Sequence, residues 1–152
     1  AQTAALYYLQ LLVVTGVIDQ TLADRTYADS IVWALGQISN GMYDPDGTGK
    51  PYSHVGAIHI GLLMDLGVMR WDPSSKAANG EDVGAFSIDG SKLDGAAVDM
   101  MRLVAGIKAR GDRARAEHLV KQYVEAGIVP HAVIAERFLR YPKASFVYAV
   151  QQ

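Results

Sequence analysis

The chain contains no cysteine, which excludes disulfides and thiolate chemistry and leaves every cellular compartment open to it. Charged residues are scarce, 20% of the 152, while 50% are hydrophobic. That balance fits a folded globular body and argues against disorder. It also leaves little polar material to cover the outside, as in a body that normally packs against other parts of a larger protein. An excess of charge of either sign is missing too. The formal net charge is -2 and the pI about 6.1, which gives no electrostatic reason to expect nucleic acid or an anionic membrane as a partner. No hydrophobic run is long enough to span a bilayer. The most apolar stretch, residues 3–18, carries Gln10, Thr15 and Gly16 and is too short to cross about 30 Å of hydrocarbon as a helix. Neither an initiator methionine nor the basic segment of a secretory leader stands before it, so the expectation is a start inside a longer polypeptide.

The common hydrolytic and phosphate-binding signatures are also missing. No histidine is followed by glutamate, so an H-E-x-x-H metal site has no support, and no G-x-S-x-G elbow or full-length P-loop occurs. His54 and His59 are separated by about 140° around a helix, which prevents them from gripping one metal as an i, i+4 pair would. Residues 44–50 begin like a calcium loop, with oxygens at relative positions one, three and five and Gly49 at six. The pattern then fails, because Lys50 stands at position seven and Val55 where a bidentate carboxylate is needed. A surface turn is expected there. His118, among Arg113, Arg115 and Lys121, reads as a solvated or partner-packed side chain, and His131, after Pro130, as structural.

What is present is helical periodicity. From Thr3 to Thr15 nearly every position is apolar, and a helix with that pattern is expected to be buried on most sides. Asp19 or Thr21 can cap a second helix whose apolar positions Ile31, Val32, Leu35 and Ile38 recur at helical spacing, stopped at Asn40-Gly41. After the turn-rich loop, a third helix is expected from Ser53, as its N-cap, through Leu66 to Gly67. Val68 to Trp71 and Ala85 to Ile88 predict a small antiparallel pair. Leu93, Ala97, Met100, Met101, Val104 and Ile107 predict a helix over residues 91–110. Gly111-Asp112 then stops that helix and caps a second arm from Arg113 to Ala126. A short helix from His131 to Leu139 and an alternating tail, Phe146, Tyr148 and Val150, complete the chain.

At this length a chain buries about two-thirds of its unfolded surface, enough for one core. The expectation is a mainly α fold, a helical bundle of about five to six helices with a small β-hairpin and an extended C-terminal tail, as one domain over residues 1–152. Among the candidate residues His54 stands out, because a Gly- and Pro-rich loop delivers it to the first turn of an apolar helix. There it either points into a cleft, where it can donate to a polarised carbonyl, or serves the fold.

Several segments, in this order, carry a family resemblance: Pro51-Tyr52-Ser53-His54 leading into Val55-Gly56-Ala57-Ile58, the helix end Leu66-Gly67-Val68, and Phe86-Ser87-Ile88-Asp89. They continue with the helix closing on Gly111-Asp112, then Tyr123, Ile128-Val129-Pro130 and Ala144-Ser145-Phe146-Val147-Tyr148. The series resembles the C-terminal part of the dipeptidyl peptidase III-like zinc exopeptidases, especially their bacterial and Nudix-associated branch. The opening residues, Ala1 to Leu9, are similar to the segment just after that family's second zinc motif. The resemblance implies zinc in a full-length parent, held by ligands upstream of Ala1 and none in this chain, and hydrolytic removal of dipeptides from peptide N-termini. It implies that His54 lies beside the metal site, binding substrate or stabilising the oxyanion. It implies as partners the remainder of the parent polypeptide and a peptide substrate, with this fragment inactive alone. Two positions depart from the family pattern: Ile58 stands where classical members have Arg, and Gln2 where the motif ends in an acidic residue. The alternative expectation is a non-catalytic helical interaction module, from a member that lost peptidase function.

Overall fold

A computed structural model describes residues 1–141, and the strand expected over residues 144–150 lies outside them. The described residues build the expected mainly α architecture, six α-helices and one antiparallel hairpin. In chain order these are α1 (Gln2–Val14), α2 (Gln20–Ile38), α3 (Pro51–Asp65), β1 (Met69–Lys76), β2 (Val83–Ile88), α4 (Leu93–Arg110), α5 (Arg113–Val120) and α6 (His131–Leu139). No helix among them is long and apolar enough to cross a membrane.

Local chemistry sets most of the boundaries. The Asp19 carboxylate accepts the Leu22 N–H at 2.7 Å and caps α2, and Asp112 caps α5 through Arg115 N at 3.0 Å. Helix α3 starts earlier than its expected cap. Pro51 occupies the first turn, where a missing N–H costs nothing, and Ser53 lies inside the helix. Ser53 is buried, and its hydroxyl donates to the Gln37 carbonyl of α2 at 2.8 Å, so it serves helix packing instead of capping.

The main core gathers around α3. Ile31, Ala34 and Ile38 of α2 meet Ala57, Ile60 and Leu63, and Tyr123, Val129 and Ile134 close the far side. Two glycines make the approach possible. A β-carbon on Gly56 would stand 2.6 Å from the Ala34 carbonyl oxygen, and one on Gly61 would collide with the Tyr123 ring. The segment carrying Tyr123 was expected as a continuous helix to Ala126, yet residues 121–125 widen into a π-helical turn. One additional residue in a turn rotates the chain beyond it by about 100°. The Tyr123 ring packs against Gly61, and its hydroxyl donates to Asp65 at 2.7 Å.

Helix α1 departs from expectation. Leu6 and Leu9 are buried with Ala23, Tyr27 and Ala97 in a second small cluster, but Leu11 is 55% and Val14 81% exposed, and Tyr7 and Tyr8 are exposed as well. The helix packs on α2 and α4 along one stripe, so its remaining apolar faces have no covering element among the described residues. Val32, one of the regularly spaced apolar positions of α2, is also exposed.

The hairpin is longer than its β-prone runs. Pairing extends from Met69↔Ile88 through Trp71↔Phe86 and Asp72↔Ala85 to Lys76↔Val83, with an irregularity between Asp72 and Lys76 that accommodates Pro73. The Asp72 carboxylate holds the irregular stretch by accepting from the Ser74 N–H and hydroxyl at 2.9 and 2.6 Å. Helix α6 clamps the outer strand, since Arg137 donates to the Gly84 and Val83 carbonyls at 2.7 and 2.8 Å and Arg140 pairs with Asp82 at 2.8 Å.

Gly61→Ala is expected to lower stability by about 1–3 kcal/mol through overpacking against Tyr123. Urea unfolding measures it, and the loss should shrink when Tyr123 is first replaced by Leu; equal losses in both backgrounds would mean that the ring is not the obstacle.

Candidate functional site

The loop before α3 is a tight turn with its own hydrogen bonds. Asp44 N donates to Thr48 O at 2.8 Å, Gly47 N to Asp44 O at 2.9 Å, and Lys50 N to Met42 O at 2.8 Å. Asp46 accepts the Thr48 N–H at 2.8 Å, and these hydrogen bonds from Thr48 hold its carboxyl below the usual carboxylate range. Lys50 reaches back to the Asn40 carbonyl at 2.8 Å and to Asp44 at 3.5 Å. A bridge between Tyr43 and Gly49 closes the base of the turn.

His54 sits in the first turn of α3 and packs into this loop. Its Nε2–H donates to the Met42 carbonyl at 2.9 Å, so that nitrogen carries the proton. Tyr43 stands edge-on to the ring at 5.2 Å between centroids. Gly49 presses against the other side, where a β-carbon would come within 2.6 Å of the imidazole. The half-buried ring thereby joins both ends of the loop to α3.

His59 faces the opposite way. It is 3% exposed, its Nε2 has no hydrogen-bond partner among the described residues, and desolvation pushes its pKa down to about 4. It lines an apolar cleft of about 340 Å³ bounded by α3, α4, α5 and the beginning of α1, where its neighbours Val55 and Ile58 and the departing residue Gln2 also stand. Helix pitch separates the two histidines, and among the described residues no three His, Asp or Glu side chains come together to hold a metal. The described residues therefore do not fit a zinc site.

Of the other histidines, His118 is exposed. His131 is half-buried with an unpartnered Nε2, and burial lowers its pKa against a hydrogen bond to the Tyr123 backbone. The sequence reading missed Asp65, whose carboxylate accepts from Tyr123 at 2.7 Å and from Gln122 at 2.9 Å. Burial and the Asp65 contact push the Tyr123 phenol well above its ordinary pKa, so it stays protonated and donates. No short-range signal joins positions 58 apart. His59 had a weak signal, an imidazole one position before Ile60 on a helix whose neighbours are almost all apolar.

No protein-family model, curated protein or solved structure matches the chain.

His54→Ala is expected to cost about 1 kcal/mol, the net worth of a neutral hydrogen bond, and to speed amide exchange at Asp44 and Lys50. Unchanged exchange there would remove the loop-anchoring role. His59 sets an acid sensitivity. With a folded pKa of about 4 below an ordinary 6.5, the folded protein refuses a proton that the unfolded chain accepts. Its contribution is intact above pH 6.5 and is lost as pH falls through about 4, by roughly 3 kcal/mol in all. His59→Leu should remove this part of the pH dependence, seen by comparing urea midpoints of both proteins from pH 7 to 4; parallel curves would contradict it.

Proposed function

We propose that this chain is the C-terminal, scaffold-forming portion of a dipeptidyl peptidase III-like zinc metallopeptidase. In the parent, zinc-assisted hydrolysis removes dipeptides from peptide N-termini, with the metal held by residues outside this chain. The family reading rests on the order of segments from Pro51 to Tyr148. The observation of the fold that supports a scaffold is the apolar surface of α1 left uncovered by the other described residues, where Tyr7, Tyr8, Leu11 and Val14 form a surface suited to packing on other protein. His54 contributes by holding the loop of residues 42–50 against α3, and a peptide substrate and the rest of the parent are the partners.

A second reading is a non-catalytic helical interaction module. It is favoured by the engagement of His54 Nε2 with the Met42 carbonyl, which leaves that nitrogen less free to serve a reacting oxygen.

Two measurements test these readings. The 152-residue chain should hold no stoichiometric zinc and cleave no dipeptidyl-arylamide; tight zinc with turnover would overturn the scaffold reading. In the full-length parent, His54→Ala should reduce kcat at a temperature where the variant is still fully folded if the residue acts beside the metal. A parent without peptidase activity would favour the module.

A further inference from the structure

His59 gives the apolar cleft a feature that packing alone does not require. The cleft has a volume of about 340 Å³, within the range of about 300–1,000 Å³ common for small-molecule sites. Its walls are Ile58 and Leu62 of α3, Met100 and Val104 of α4, and Leu119 of α5. Among the described residues no Asp, Glu, Lys or Arg side chain lines it, and Gln2 and Thr3 are its polar members besides His59. A charged ligand would leave its hydration behind and find no charged side chain among the described residues to pair with, so the fitting ligand is neutral. Small-molecule sites of this kind carry a few polar groups among apolar walls, and here a buried imidazole supplies one.

That imidazole is short of a partner. Nε2 is buried with no hydrogen-bond partner among the described residues, and His59 lines both the cleft and a much smaller space beside Ser30 and Tyr27. Leaving a buried polar atom unpaired is unfavourable, and a ligand group that pairs with it recovers that cost on binding. Met100 also lines both spaces, and an unbranched thioether can shift between rotamers to let a small group reach the ring.

We infer that the cleft is a binding site for a small neutral alcohol, aryl or alkyl. Its apolar body lies against Ile58, Leu62, Val104 and Leu119, and its hydroxyl hydrogen-bonds to His59 Nε2. Imidazole nitrogen either accepts from or donates to a hydroxyl, so both tautomers of His59 are served.

Phenol and toluene, which differ by a hydroxyl in place of a methyl, separate the two parts of the site. Titration of each into the 152-residue chain, followed by calorimetry and by the methyl resonances of Ile58 and Val104, should show saturable binding of both. His59→Leu should weaken phenol roughly tenfold, the worth of one hydrogen bond, and leave toluene within about twofold. The retained toluene binding then reports that the variant is folded. Val104→Trp, on the exposed rim, should block both probes. No saturable binding to the unaltered chain overturns the inference, as does phenol affinity unmoved by His59→Leu or by Val104→Trp. Exclusion of phenol from the cleft in a longer parent would overturn it as well, because a polypeptide segment would then be the occupant.

Discussion

Without a side chain at Gly56 and Gly61, α3 lets the Ala34 carbonyl and the Tyr123 ring approach to distances that a β-carbon would forbid. The rest of the core depends on this constraint. Helix α2 lies close enough for Ser53 to reach the Gln37 carbonyl, and the π-helical turn brings Tyr123 over the helix to Asp65. Protein interiors pack at crystal-like density, so one such close contact fixes the positions of many neighbours. Two glycines five residues apart therefore organise helices that are distant in sequence.

The pitch of the same helix divides its histidines between two environments. His54 faces a polar loop, where its ring finds a carbonyl acceptor and two flanking residues. His59, five positions on, faces apolar side chains from α4 and α5 and holds its ring neutral. Identical side chains thus acquire opposite physical roles, one joining a loop to a helix and the other leaving a buried nitrogen at the edge of a cleft. Neither arrangement resembles a shared metal site, because the two rings lie on different sides of α3.

Much of the helical framework was legible in the sequence because its signals are local. Asp19 and the Gly111-Asp112 pair cap and stop helices through atoms within a few residues of themselves, and the structure places them as expected. Other features were hidden because their causes are distant. The strand past Asp72-Pro73 looks like a break, yet Arg137 and Arg140, more than fifty residues further along the chain, hold its partner strand and the residue before it. The π-helical turn at residues 121–125 has no periodic signature, since what it accommodates is a contact with Gly61 and Asp65. Of the candidate residues, His54 was conspicuous through its loop setting, but the direction of its ring was not.

By itself the sequence determined that the chain is mainly helical, where most helices begin and end, and which residues are apolar enough to form a core. Those properties arise from capping, glycine and spacing, which act within one or two turns. Only the tertiary structure decided which apolar residues are covered. Leu9 and Leu11 are equally hydrophobic neighbours on α1, and one is buried against α2 and α4 while the other faces outward. It also decided that His54 anchors a loop and His59 borders a cleft. Burial and hydrogen bonding belong to pairs of surfaces, and the second surface of each pair is supplied by segments far away along the chain.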